Sequence, residues 1–174
     1  GEMMGCISNF LNKFLNKEEP KTECEKNVIY SPLKGEAMEL KKVSDATFAD
    51  ELLGKGFAIN PSEGKLVAPF NGKIVTLFPT KHAICIVSDD GIELLIHIGF
   101  NTVELNGKYY KEHVKEGDTV SKGQTLMTFD IKGIKNAGYE TTTPIVITNS
   151  DNYKNISILK TGDIVFGDKS IKVE

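Results

Sequence analysis

From residue 28 onward, short apolar runs alternate with turn-forming residues. The runs are rich in valine, isoleucine, threonine and phenylalanine, and they occupy residues 28–30, 57–59, 66–68, 74–78, 83–87, 92–98, 125–131, 145–148 and 171–173. Asn-Gly and Asp-Gly pairs stand between several of them, as at 71–72 and 90–91. Short strands joined by such turns are typical of antiparallel sheets. The pattern predicts an all-β fold, an antiparallel β-sandwich or barrel, with short helices around 46–53 and 133–138.

The first 22 residues follow a different pattern. Their apolar side chains recur at steps of three and four, as on one face of a helix; they are Ile7, Phe10, Leu11, Phe14 and Leu15. We therefore divide the chain into an N-terminal amphipathic segment, residues 1–22, and one domain, residues 23–174. Residues 5–17 could lie on an anionic membrane surface, pack on the domain or stay frayed, because so short a helix is marginal alone in water.

Composition and charge narrow the class of protein. The 174 residues are 40% hydrophobic and 26% charged, as in a globular domain. The net charge is −3, and all 21 basic residues are lysines. We expect no nucleic-acid binding, because a slightly acidic chain without arginine cannot make bidentate guanidinium contacts to bases. The absence of βαβ alternation, a Walker motif and a GxGxxG motif disfavours nucleotide-binding α/β enzymes.

Cysteine usage and hydropathy indicate the compartment. Cys6, Cys24 and Cys85 form no CxxC pair, which argues against a disulfide framework and a thiolate zinc site. No apolar run approaches the ~20 residues that span a bilayer, and the first residues lack the apolar core of a signal peptide. We expect a monomeric cytoplasmic protein, with residues 5–17 as a potential peripheral anchor at the inner face of the membrane.

Two histidines flank the strongest hairpin signal in the chain. His82 and His97 lie on either side of the Asp-Asp-Gly sequence at 89–91. A two-residue loop at 89–90 places them directly opposite each other, and one at 90–91 places them one diagonal step apart, about 4.5–8 Å between Cβ atoms. Both registers bring the imidazoles together on one face, whereas a three-residue loop would change this geometry.

The period of two along each strand names the neighbours of the histidines. Phe78 and Thr80 share the face of His82, and Leu95 shares the face of His97. The remaining apolar positions are predicted to face the core: Ala83, Cys85, Val87, Leu94, Ile96 and Ile98.

The chemistry of two facing imidazoles leaves three interpretations open. One ring can act as a nucleophile toward a phosphoryl group while the other donates a hydrogen bond to the phosphate oxygens. Alternatively, the pair can bind a metal ion together with a carboxylate. Both histidines can also be purely structural.

A longer motif surrounds His97. Residues 91–103 read Gly, two residues, three apolar residues, His, apolar, Gly, apolar, any residue, Thr, apolar. This segment resembles the active-site signature of the glucose-family enzyme IIA of the bacterial phosphoenolpyruvate-dependent sugar phosphotransferase system. The resemblance covers roughly residues 28–173, with further similar segments at 31–36, 48–50, 54–56, 68–72, 80–83, 103–105 and 117–120.

The resemblance implies both a fold and a reaction. The fold is a β-sandwich with Greek-key and jelly-roll connections. In the reaction, His97 accepts a phosphoryl group through Nε2 from phosphohistidine on the small carrier HPr. The group then passes to a cysteine on the IIB domain of a sugar permease. His82 is the supporting histidine, and Thr80 is its hydrogen-bond partner.

The resemblance also implies a docking rim around the histidines. We assign to this rim four apolar residues, with Leu95 standing where some members have phenylalanine, and two acidic residues: Phe48, Phe78, Leu95, Ile98, Asp45 and Asp151. Asn101 replaces an acidic residue common in the family, so no role is assigned to it. His113 lies outside the signature and is expected on the surface.

The remaining expectations concern cofactors and two other classes of protein. No cofactor is expected to be required, although zinc could bind His82 and His97 together with a partner carboxylate, as in some members. A biotinyl or lipoyl carrier is disfavoured because Glu39 occupies the position of the acceptor lysine. A zinc hydrolase is disfavoured because no HxH or HExxH motif is present. The sugar is not identified by the sequence, and we expect a free-standing rather than a fused domain.

Overall fold

The structure is a computed structural model that describes residues 23–174. The predicted amphipathic segment at 5–17 lies outside these residues. The described chain forms strands numbered in chain order: β1 Val28–Tyr30, β2 Gly35–Glu39, β3 Lys55–Pro61, β4 Lys65–Val67, β5 Gly72–Leu77, β6 Ala83–Ser88, β7 Glu93–His97, β8 Tyr110–Glu112, β9 Thr119–Val120, β10 Thr125–Phe129, β11 Thr143–Ile147, β12 Ile156–Ile158, β13 Gly162–Ile164 and β14 Lys169–Val173.

These strands form three antiparallel sheets. The largest has eight strands in the order β13-β2-β3-β11-β7-β6-β5-β9, and the smaller sheets have the orders β1-β14-β12 and β4-β10-β8. Strand β11 pairs with both β3 and β7, so distant parts of the chain meet in the middle of the large sheet. The prediction of an all-β antiparallel sandwich is confirmed.

Two apolar clusters lie on opposite faces of the large sheet. The main core joins all three sheets and includes Ile29, Phe57, Leu66, Ile96 and Ile145, each buried. The second cluster is smaller and covers the other face of β3, β7 and β11. It consists of Leu40, Val43, Phe48, Ala58, Phe100 and Val146, with Leu95 packed against it. This smaller cluster lies beside the end of β7.

The helices are short and capped by aspartates. Helix α1 spans Ala46–Ala49 and is capped by Asp45, whose side chain accepts a hydrogen bond from the Thr47 backbone. The predicted helix at 46–53 is therefore too long, because Glu51 adopts a left-handed φ of 56°. Helix α2 spans Ile131–Asn136. Short 3₁₀ turns cover Leu40–Lys42, Thr102–Leu105 and Ser150–Asn152. Within residues 23–174, none of the helices has the length and apolar character needed to cross a membrane.

The hairpin of β6 and β7 differs from the predicted register. Ser88 N donates to Ile92 O at 2.9 Å, so residues 89–91 form a three-residue loop. Gly91 in this loop has a φ of +92°, a conformation that glycine adopts without strain. The Ser88 hydroxyl also accepts a hydrogen bond from Ile92 N. The two-residue registers were therefore wrong.

The extra loop residue also changes which side chains share a face. Because side chains alternate, a shift of one residue in pairing moves a strand's apolar set to the other face. Leu94 and Ile96 face the main core together with Ile84 and Ile86. The half-buried residues Cys85 and Val87 pair instead with Leu95 and Glu93, on the outer face that carries His97. The prediction that Cys85 and Val87 face the core was wrong.

Candidate functional site

The imidazoles of His82 and His97, hereafter the histidine pair, contact each other at one end of the β6–β7 hairpin. Their ring centroids are 4.8 Å apart, and the rings meet edge to face at 83°. His82 lies just before β6, after Lys81 with a left-handed φ of 62°, so the alternation of the strand does not extend to it. Ile98 N donates to His82 O at 2.7 Å and ties the two strand ends together. The predicted meeting of the imidazoles is confirmed, although in a different register.

The Nδ1 atom of each ring has a hydrogen-bond partner. His97 Nδ1 lies 2.7 Å from Gly99 O, and His82 Nδ1 lies 2.8 Å from the Thr80 hydroxyl. A carbonyl oxygen only accepts hydrogen bonds, so His97 carries its proton on Nδ1 when neutral. The Nε2 atom of neutral His97 therefore has a lone pair available for a ligand or an electrophile.

Gly99 occupies a position that other residues would strain. Its φ is +86°, and a Cβ atom there would lie 2.6 Å from Glu140 O and 2.6 Å from Thr102 Cγ2. The missing side chain allows the backbone to turn so that Gly99 O faces the ring of His97. The glycine two residues after His97 in the signature thus has a structural reason.

Burial keeps both imidazoles neutral at neutral pH. It lowers the pKa of His82 to about 4, and the neighbouring His97 contributes in the same direction. Burial also lowers the pKa of His97, although the hydrogen bond to Gly99 and the charge of Asp45 raise it. His82 is 5% exposed, whereas His97 is half-buried and thus the more accessible of the two rings.

Aromatic and apolar side chains surround the histidine pair. The Phe48 ring centroid lies 5.2 Å from that of His97, and the Phe78 centroid lies 5.8 Å from that of His82. Phe78 is 38% exposed, so part of its ring is accessible at the surface beside His82. Leu95 is half-buried on the same face as His97. The structure thus brings Phe48, Phe78 and Leu95 of the predicted docking rim around the histidines.

Two other members of the predicted docking rim lie elsewhere. The Ile98 side chain is 1% exposed and belongs to the main core, so its assignment to the rim was wrong. Asp151 lies four residues after Ile147, the last residue of β11, and Ile147 pairs with Leu94 of β7. Since Leu94 is three residues from His97, Asp151 lies beyond the far end of β7, more than roughly 10 Å along the strand. The acidic residue that interacts with His97 is Asp45.

The histidine pair provides two candidate metal ligands. Within residues 23–174, no group of three or more His, Cys, Asp or Glu side chains is placed to hold a metal ion. The two Nε2 atoms are suitable donors for zinc, so the pair fits two positions of a tetrahedral site whose other ligands must come from a partner or solvent. His113 is exposed and bonds Thr128, away from the pair, as predicted for a surface residue.

Several residues near the site escaped the sequence analysis. Leu52 follows helix α1 and is 72% exposed, and Val103 follows the Gly99 turn and is 50% exposed. Two buried hydroxyls, those of Thr102 and Tyr110, bond the Ile98 carbonyl next to His97. Thr102 belongs to the signature and could have been singled out. Tyr110 gives no local signal, because it lies 12 positions from Ile98 in the sequence and meets the Ile98 carbonyl only in the folded chain.

Comparison with known proteins identifies the family that this chain resembles. The family model described as "phosphoenolpyruvate-dependent sugar phosphotransferase system, EIIA 1" matches residues 27–153. A "PTS system beta-glucoside-specific EIIBCA component" of Bacillus subtilis (strain 168) is 46% identical over 142 residues, 82% of this chain and 23% of that protein. A "PTS system glucoside-specific EIICBA component" of Staphylococcus carnosus (strain TM300) is 48% identical over 146 residues, 84% of this chain and 21% of that protein. The chain thus spans about a fifth of the length of these relatives.

A solved structure has a similar fold. The glucose permease IIA from Mycoplasma capricolum matches with a TM-score of 0.79 and 36% sequence identity. The match covers 85% of this chain and 96% of the other. The likeness therefore extends over nearly the whole of that domain.

Proposed function

Because the chain belongs to the EIIA 1 family of the phosphoenolpyruvate-dependent sugar phosphotransferase system, we propose that His97 carries a phosphoryl group between two other components of that system. An EIIA domain is a phosphotransferase component of this system. The observation that carries the residue assignment is the hydrogen bond from His97 Nδ1 to Gly99 O, because it directs the lone pair to Nε2 beside His82.

His97 is the acceptor in this proposal. Its Nε2 lone pair forms the new N–P bond while the N–P bond of a donor phosphohistidine breaks, and the electron pair returns to the donor's ring nitrogen. In the second step a thiolate attacks the phosphorus, the N–P bond to His97 breaks, and the electron pair returns to Nε2. Lowering of the His97 pKa by burial supports this role, since only the neutral ring is a nucleophile.

His82 is the supporting residue, and Thr80 positions it. If the Thr80 hydroxyl donates to His82 Nδ1, the ring proton lies on Nε2. That N–H then donates a hydrogen bond to the phosphoryl oxygens without adding a positive charge. The low pKa of His82, about 4, keeps the ring in this neutral form.

The docking rim supplies the contact surface for both partners. Phe48, Phe78 and Leu95 give an apolar surface around the histidine pair. Asp45 adds an acidic group close to His97, and Asp151 adds one farther along the sheet. Because all basic residues of the chain are lysines, any guanidinium that clamps the phosphoryl group must come from the partner.

The partners follow from the components named in the relatives. We propose phospho-HPr as the donor and the cysteine of a IIB domain as the acceptor, since the relatives are EIIBCA and EIICBA components. Their names also suggest a glucoside or β-glucoside permease as the system that this domain serves. Monomeric state and a free-standing native chain stay predictions.

Zinc and membrane binding are secondary proposals. Zinc would bind both Nε2 atoms of the histidine pair, with the His82 proton on Nδ1 toward the Thr80 hydroxyl and the remaining ligands from solvent or a partner carboxylate, so it would compete with phosphorylation of His97. In an NMR titration, zinc should shift the signals of His82 and His97 together and leave His113 unchanged. Unshifted signals of the pair would refute the zinc proposal. Residues 5–17 would hold the domain at the inner, anionic face of the membrane.

A phosphotransfer assay tests the function. The protein is incubated with ³²P-phosphoenolpyruvate, enzyme I and HPr, and then with a IIB domain of the glucoside type. Wild type should gain an acid-labile label and transfer it to IIB, whereas His97→Ala should stay unlabelled. His82→Ala should retain its label and fail to transfer it. Labelling of His97→Ala would refute the assignment, and full transfer by His82→Ala would remove His82 from the mechanism.

A further inference from the structure

Tyr110 lies outside the active-site signature and contacts the backbone that connects His97 to Gly99. Tyr110 is the first residue of β8 and is 6% exposed. Its hydroxyl donates a hydrogen bond to Ile98 O at 2.9 Å. Burial raises the pKa of Tyr110 to about 12, so the phenol remains a hydrogen-bond donor throughout the physiological range.

The Ile98 carbonyl is the point where the turn after His97 is fixed. It accepts hydrogen bonds from both the Tyr110 hydroxyl and the Thr102 hydroxyl, and Thr102 is fully buried. Ile98 also donates its own N–H to His82 O at 2.7 Å. Ile98 thus links the backbone of His82 to the turn in which Gly99 lies.

The orientation of this peptide sets the hydrogen bond of the acceptor ring. The carbonyl of Ile98 and the N–H of Gly99 belong to one planar peptide unit, so anchoring the carbonyl fixes how the chain enters Gly99. Gly99 then directs its own carbonyl to His97 Nδ1 at 2.7 Å. A glycine has unusual backbone freedom, and outside contacts are therefore needed to hold this turn in one conformation.

From this geometry we propose that Tyr110 is a positioning residue: its hydroxyl holds the Ile98 carbonyl so that Gly99 O keeps His97 in the Nδ1–H tautomer with Nε2 available. The inference rests on the proposed function only for its consequence in phosphotransfer. The positioning itself is a property of the unphosphorylated domain.

The test compares Tyr110→Phe with Tyr30→Phe. Tyr30 lies on β1 in a different sheet and is equally buried at 6% exposure, and its hydroxyl accepts a hydrogen bond from Glu25 N. Both substitutions remove one hydrogen-bonded hydroxyl from a buried tyrosine and keep the ring. A general loss of stability should therefore appear in both variants, whereas a loss of positioning should appear only in Tyr110→Phe.

The first readout is ¹⁵N NMR of the histidine rings in the unphosphorylated full chain, titrated over pH. The hydrogen bond to Gly99 raises the pKa of His97. Tyr110→Phe should therefore lower the pKa of His97 and reduce the population of its Nδ1–H tautomer, with no change at His113. Tyr30→Phe should match wild type. An unchanged tautomer and pKa of His97 in Tyr110→Phe, or the same change in both variants, would overturn the proposal.

The second readout is the rate of labelling by phospho-HPr. Loss of one neutral hydrogen bond should slow transfer to Tyr110→Phe by about 3- to 10-fold, and Tyr30→Phe should react at the wild-type rate. Thr102→Val, which removes the other donor to the same carbonyl, should shift the His97 signals in the same direction; no shift there would count against the proposal. Because the NMR experiment uses no phosphoryl donor, it judges the positioning even if His97 proves not to be the acceptor.

Discussion

The buried ring of His82 should make the stability of the domain depend on pH. Burial lowers its pKa from 6.5 to about 4 in the folded protein, and unfolding restores the ordinary value. Above pH 6.5 the ring is neutral in both states, and the folded state keeps its full stability. As the pH falls from about 6.5 toward 4, only the unfolded state binds a proton at this ring. Unfolding therefore becomes progressively more favourable within that window.

The gap between the two pKa values sets the size of the effect. It corresponds to a loss of about 3 kcal/mol in the free energy of unfolding between pH 7 and pH 4. A single domain is commonly stable by about 5–15 kcal/mol, so this loss is a substantial fraction of the total. Below pH 4 both states carry the proton, and the contribution of His82 stops growing.

Urea unfolding at pH 7, 6, 5 and 4 measures the effect in wild type and in His82→Gln. Carboxyl groups titrate in both proteins, so their contribution cancels in the difference between the two stability curves. That difference should change by about 3 kcal/mol between pH 7 and pH 4. His113→Gln, which replaces an exposed histidine away from the histidine pair, is the matched control. Parallel curves for wild type and His82→Gln would refute the reasoning.

Three further predictions follow from the site and the N-terminal segment. Gly99→Ala should lower the free energy of unfolding by about 2 kcal/mol, because the new Cβ would lie 2.6 Å from Glu140 O at a φ of +86°; urea denaturation measures this, and wild-type stability would contradict it. Phe48→Ala should cost about 3 kcal/mol, since Phe48 is 6% exposed and packs on His97 and Phe100. A loss below about 1 kcal/mol in the same assay would show that its cluster contributes little. The 174-residue chain should co-sediment with anionic liposomes more than a chain lacking residues 1–22, and equal binding would refute the membrane proposal.

The β6–β7 hairpin was only partly predictable from the sequence. Two apolar runs around an Asp-Asp-Gly turn led to the prediction that His82 and His97 meet, but the rings meet in another register, because Lys81 at φ 62° takes His82 out of the strand alternation. The register was not predictable, because it depends on how Gly91 at φ +92° and the Ser88 hydroxyl close the loop. Because the loop has one residue more than predicted, Cys85 lies on the outer face of the sheet, and nothing in the sequence of the strand itself indicates this.

Other features depend on contacts that no local pattern contains. Helix α1 ends early because Glu51 adopts a left-handed conformation, which its residue type does not favour. Tyr110 lies 12 positions from Ile98 in the sequence, and its hydroxyl meets the Ile98 carbonyl only in the fold. The signature singled out His97, whereas the hydrogen bonds from Tyr110 and Thr102 to the Ile98 carbonyl are visible only in the fold.

In the proposed function, the phosphoryl group binds Nε2 of His97. The most direct measurement is long-range ¹H–¹⁵N NMR of the histidine rings before and after phosphorylation by phosphoenolpyruvate, enzyme I and HPr, with ³¹P coupling to identify the bonded nitrogen. We expect phosphorus coupling at Nε2 of His97 alone, with the Nδ1 proton retained toward Gly99. Phosphorus coupled to Nδ1 of His97, or to a nitrogen of His82 or His113, would contradict this account.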